Sequence, residues 1–82
     1  MDWIEGLARA LGEGAEAGAH ERRAVLKMAR EVAHRTERVN APLAAFVIGQ
    51  YVASRRGRGD PSDDAVREAV RIAEGLLPEP GG

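Results

Sequence analysis

The sequence predicts a small all-α domain, a four-helix bundle-like fold with a central apolar third helix. Three observations predict it: apolar residues recur at helical spacing in most of the chain, one segment beyond Pro42 is apolar on every side, and short Gly- and Pro-bearing stretches separate the periodic runs. With 82 residues there is room for one domain and one core. A chain of this size buries only a little over ~60% of the surface that its unfolded form exposes, so helix packing or self-association has to supply the stability.

Composition narrows the function classes. No cysteine is present, which excludes disulfides and thiolate metal sites. The net charge is −1 with both signs interspersed, so no overall pull toward nucleic acid or anionic lipid exists. The opening MDWIEG lacks the pattern of a secretory signal, and no apolar run approaches a membrane span; a cytoplasmic protein is expected.

The first helix is expected over residues 2–11, with Asp2 capping its start and Trp3, Ile4, Leu7 and Leu11 on one side. Trp3, one of only three aromatic residues, reads as a packing anchor. Gly12, Gly14 and Gly18, three glycines in seven residues, make a flexible connection. The same stretch lacks the preceding strand and the Lys-Ser or Lys-Thr pair of a phosphate loop.

Residues 19–39 form the second predicted helix. Its apolar face carries Val25, Met28, Ala29, Val32, Thr36 and Val39, and its opposite face Lys27, Arg30, Glu31, His34, Glu37 and Arg38. The pairs Lys27–Glu31 and Glu31–Arg35 are four apart and stabilise a helix by only ~0.3–0.5 kcal/mol each. Asn40, Ala41 and Pro42 break the register, so a third helix is expected over 42–55. That helix has almost no polar side and reads as the buried centre of the fold. Along it Ala45, Gly49 and Ala53 recur every four residues, a spacing at which a neighbouring helix could cross closely.

The basic turn RRGRG ends the third helix. Asp60 and Pro61 then read as an N-cap and first position of a fourth helix over 61–77, with Asp63 and Asp64 near its positive end. Val66, Ala69, Val70, Ala73, Leu76 and Leu77 form its apolar stripe. The tail at 78–82 is expected to be disordered.

Two groups of side chains are candidates for interaction or ligand binding. Arg30, His34, Glu37 and Arg38 sit together on the polar side of the second helix, where they could bind a phosphate or move a proton. Arg55, Arg56 and Arg58 in the basic turn are suited to phosphate or carboxylate, although positive charge at a helix end also simply complements the dipole. No nucleophile or convergent pocket can be read, and the two histidines form no metal cluster, so no catalytic or metal-ligating residue and no cofactor is assigned.

The opening MDWIEGLARAL and the run LKMAREVAHRTERVNAPLAAFVIGQYVA resemble a family of small uncharacterised bacterial domains, chiefly from high-GC organisms. In that family a WI-x-x-LA opening precedes an A-x-x-VAH-x-TER-x-x-APL-x-x-F core, and the domain occurs alone or joined to, or encoded near, the guanylyltransferase that completes the molybdenum cofactor. The resemblance covers the chain up to the third helix. It implies that His34, Thr36, Glu37, Arg38, Pro42, Leu43 and Phe46 occupy motif positions, and that the polar ones are fixed to a neighbouring helix, another chain or a ligand.

The expectation is therefore a non-catalytic accessory or interaction domain that self-associates, with a nucleotidyltransferase of molybdenum-cofactor assembly as its implied partner. An alternative is a small-ligand or nucleotide-phosphate-binding domain using Arg30, His34, Arg38 and the Arg55–Arg58 turn. DNA binding through the second helix is disfavoured by its interspersed glutamates.

Overall fold

The computed structural model of the protein describes residues 2–12 and 18–79. Four α-helices follow one another in the order α1 (Trp3–Leu11), α2 (Ala19–Arg35), α3 (Asn40–Gly57) and α4 (Ser62–Leu76). No strand occurs among the described residues, and no helix there is long and apolar enough to cross a membrane.

Local chemistry explains most of the helix ends. Asp2 caps α1 by accepting from the Glu5 amide at 2.8 Å. At the start of α2, Glu21 reaches back and accepts from the Gly18 amide at 2.7 Å, satisfying a donor that the helix leaves open. The interior of the Gly12–Gly18 connection, at 13–17, lies outside the described residues.

The corner between α2 and α3 comes earlier than the sequence pattern indicates, because α2 stops at Arg35 rather than Val39. Thr36 turns extended at the helix end, and its hydroxyl donates to the Val32 carbonyl at 2.7 Å and accepts from Asn40 Nδ2 at 3.1 Å. Side-chain bonds of this kind offer the backbone an alternative to another helical turn. The Asn40 and Ala41 amides donate to the carbonyls of Glu37 and Arg38, which starts α3 two residues before Pro42. Proline is tolerated there, since first-turn amides have no partner within the helix.

At its other end α3 closes with a Schellman arrangement. The Gly59 amide donates to the Arg56 carbonyl and the Asp60 amide to the Arg55 carbonyl, with Gly59 at φ +90°, a conformation costly for any residue with a Cβ. Asp60 is not the cap of α4 that the sequence pattern indicates; Pro61 precedes Ser62 and the Asp60 carboxylate goes to Arg55 instead. Asp63 and Asp64 do occupy the first turn of α4.

α2, α3 and α4 pack against one another pairwise, and α1 approaches none of them at close backbone distance. The buried core is Met28 and Val32 from α2, Ile48 and Val52 from α3, and Ala65, Val66, Ala69 and Val70 from α4. Met28 and Ala65 are completely buried: a long flexible side chain fills the space that small residues on α4 leave as the helices close up.

Two expectations about the core are corrected by this arrangement. α3 touches both other helices, but only one side of it is covered; Leu43, Phe46 and Val47 are exposed. With two neighbours on the same side and α1 standing apart, nothing among the described residues covers the far side of an all-round apolar helix. Trp3 is not a packing anchor, for it is 75% exposed, and Ala8 is the only buried residue of α1. The outlying helix also fits the radius of gyration, 13.3 Å against ~12 Å for a compact chain of this length.

The start of the tail is tied down, since Arg35 Nε donates to the Pro78 carbonyl at 2.8 Å. Residues 80–82 lie outside the described residues.

Candidate functional site

The basic turn resolves into three arginines in different situations. Arg55 is a structural hub: Nε donates to Asp60 Oδ2 at 2.6 Å, and Nη1 donates to Glu68 Oε2 and to the Tyr51 hydroxyl, each at 2.7 Å. Its guanidinium carbon also lies 5.6 Å from the Tyr51 ring centroid, within cation–π range. Hydrogen bonds from Arg55 hold the Glu68 carboxyl below its usual range, and Glu68, Asp60 and Tyr51 in turn raise the arginine. A guanidinium engaged with three oxygens offers little to an incoming phosphate. Arg56 lines a groove and lies near enough to Glu21 to lower its pKa. Arg58 forms the C-cap of α3 and is exposed.

Arg30, His34, Glu37 and Arg38 are all exposed, and their side chains make no hydrogen bond or ion pair with other described residues. Since α2 ends at Arg35, Glu37 and Arg38 leave the helix face that Arg30 and His34 share and sit in the corner leading into α3. This corner is separated from the Arg55–Arg58 turn by the length of α3, ~27 Å for its 18 residues. The two candidate groups therefore do not converge on one ligand. Of the pairs expected on α2, Arg35 Nη1 and Glu31 Oε1 meet at 3.4 Å.

A groove of about 370 Å³ lies where α1, α2, α3 and the start of α4 come together. Its floor is the stripe Ala45, Gly49 and Ala53, with Ile48, Val52 and Val66 beneath, and Ile4, Val25 and Leu26 on its wall. The close helix crossing expected on that stripe is absent: a Cβ built on Gly49 would meet nothing within 4 Å. The polar end of the groove joins three elements. Ser62 donates its hydroxyl to Glu21, Arg22 Nη2 donates to Asp2 Oδ2 at 2.7 Å, and Arg56 lies beside them. The Ser62 hydroxyl, the Gly18 amide and the positive charge of Arg56 hold Glu21 below the ordinary glutamate range.

A family model described as a domain of unknown function (DUF6457) matches residues 1–81. The chain belongs to this family. Compared with curated proteins and with solved structures, the chain matches none.

In this DUF6457 domain, sequence reasoning passed over Glu21, Arg22 and Ser62. Glu21 stands three residues after a glycine at a helix start, which is the capping spacing, but nothing local shows that its second oxygen accepts from Ser62, 41 positions on. The small stripe was the available signal for the groove. Small residues at that spacing leave room beside a helix, and whether another helix takes it is a tertiary matter.

Proposed function

We propose that this DUF6457 domain is a non-catalytic protein-interaction domain, whose docking surface is the corner where α2 turns into α3 together with the outer side of α3. The observation that carries it is the exposure of Val39, Leu43, Phe46 and Val47, with Phe46 66% exposed, on a helix bearing no charge from Asn40 to Ser54. Positions 39, 43, 46 and 47 share one side of a helix, so these side chains form a patch. Arg38, Glu37 and His34 come just before it in the chain and are exposed, which supplies a charged rim beside an aromatic centre. That is the anatomy of a docking surface, with an apolar anchor for affinity and a polar edge for orientation.

The partner that the sequence resemblance brings forward is a nucleotidyltransferase of molybdenum-cofactor assembly, which makes the domain an accessory to nucleotide attachment. Titration calorimetry of the domain against the purified guanylyltransferase tests this. Saturable binding that Phe46→Asp abolishes, and that Arg38→Glu weakens, is the result expected. No heat of binding removes this partner, and binding unchanged by Phe46→Asp removes the surface.

A further inference from the structure

Among the described residues, one row of α1 is a ridge without cover, and the groove is a floor without a helix. Trp3, Leu7 and Leu11 stand four residues apart on α1 and are 75%, 40% and 70% exposed. Ala45, Gly49 and Ala53 stand four apart on α3 along the groove floor. Each row covers eight residue steps, ~12 Å of helix. One row is large and the other small, the complement that ridge-into-groove packing between helices needs.

Within one chain the two rows do not meet. Arg22 bonds to Asp2 and pins the start of α1, Ala8 is its only buried residue, and Ile4 is its one contribution to the groove wall. We infer that the groove receives α1 of a second copy of this chain, reciprocally, so that two protomers form a closed two-fold pair with Trp3, Leu7 and Leu11 of each lying over Ala45, Gly49 and Ala53 of the other. Such a pair covers both exposed rows and leaves the bond between Asp2 and Arg22 in place. Neither row contains a charge, and of the charged residues that line the groove Glu21 already accepts from Ser62 and Arg22 is already paired with Asp2.

Area sets the strength. The exposed parts of Trp3, Leu7, Leu11 and Leu26, with the groove floor, come to on the order of 500 Å² per protomer at the usual sizes of aromatic and aliphatic side chains. The pair then buries on the order of 1,000 Å² in total, the lower edge of a specific interface. The dimer is accordingly concentration-dependent. None of Val39, Leu43, Phe46 and Val47 lines the groove, so the inference does not rest on the docking surface proposed above.

The test is sedimentation velocity on the full chain from low to high micromolar concentration, with emission from Trp3, the only tryptophan, read on the same samples. The expected result is a rise to dimer and a blue shift of emission with one shared midpoint. Gly49→Leu fills the groove, where open space allows the monomer to accept the side chain; it weakens association by about tenfold or more, while leaving thermal stability at least at the wild-type level. Trp3→Ala weakens association too, and Val47→Asp, exposed on the side of α3 away from the stripe, leaves it unchanged. A monomer at every concentration overturns the inference. So does a blue-shifted Trp3 independent of concentration, the mark of α1 closing on its own groove, or a Gly49→Leu variant that dimerises like wild type.

Discussion

Arg55 Nη1 donates to Glu68 Oε2 at 2.7 Å, joining the end of α3 to the second turn of α4 across the turn between them. The same side chain reaches Asp60 within that turn and Tyr51 one helical turn back, so one guanidinium sets the angle at which α4 leaves α3. Arginine suits the position because its planar fork serves several acceptors at once, which a lysine ammonium does less well.

Arg55→Lys therefore lowers the melting temperature although the charge is kept, and Arg55→Met lowers it further by leaving Asp60 and Glu68 without their cation. Thermal denaturation followed by circular dichroism checks the order. Equal melting temperatures for Arg55→Lys and wild type would show that charge alone matters.

Acid weakens the fold in a defined direction. Asp2, Glu21 and Glu68 all lie below their ordinary values, held there chiefly by the Glu5 amide, the Ser62 hydroxyl and the Arg55 guanidinium respectively. A lowered carboxyl contributes stability above its unfolded-state pKa, and that contribution is lost as pH falls through the folded-state value. Urea unfolding is expected to be nearly constant from neutrality to about pH 5 and to weaken progressively below, across the usual carboxylate range. Glu21→Gln makes the acid slope shallower; a slope identical to wild type would remove Glu21 from the account.

Met28→Ala costs ~2–5 kcal/mol, the range for emptying a buried site of this size. Domains carry ~0.05–0.15 kcal/mol of stability per residue, so this one change consumes much of the margin of an 82-residue chain. Ala65→Val, at the completely buried position on α4, costs ~1–3 kcal/mol by overpacking. Chemical denaturation of the two variants reads both values.

Trp3→Ala, measured on dilute monomer, changes unfolding free energy by no more than ~0.5 kcal/mol, as for a surface substitution. The reason is the 75% exposure of the side chain. A loss several times larger would mean that the indole packs in the monomer after all.

Gly59→Ala destabilises by ~1–2 kcal/mol, the cost of placing a Cβ in the left-handed region. Open space around the residue brings no relief, because the strain is in the backbone at φ +90°. Gly49→Ala, inside α3, is neutral or stabilising by up to ~1 kcal/mol through helix propensity. The opposite signs of two glycine changes in one chain make the comparison internally controlled.

The legible part of the fold was the part that local chemistry governs. Asp2 as a cap, the RRGRG turn that ends α3, and Asp63 and Asp64 in the first turn of α4 follow from residues within four or five positions of each helix end. The α2–α3 corner was misread by four residues at the end of α2, because Thr36 and Asn40 bond to each other and to Val32 and so compete with a continuing apolar stripe. Among the candidate site residues, Arg55 looked like a phosphate ligand only while Glu68, 13 positions on, was out of view.

The sequence by itself determined helix type, number and order, since propensity, capping and periodicity act between residues a turn apart. Only the tertiary structure decided which sides of α1 and α3 are covered and which arginine is already engaged. Burial depends on which helix arrives at which side. Here Met28, Ala65 and Ala69 let α2, α3 and α4 close on one another, and α1 was left beside an open groove.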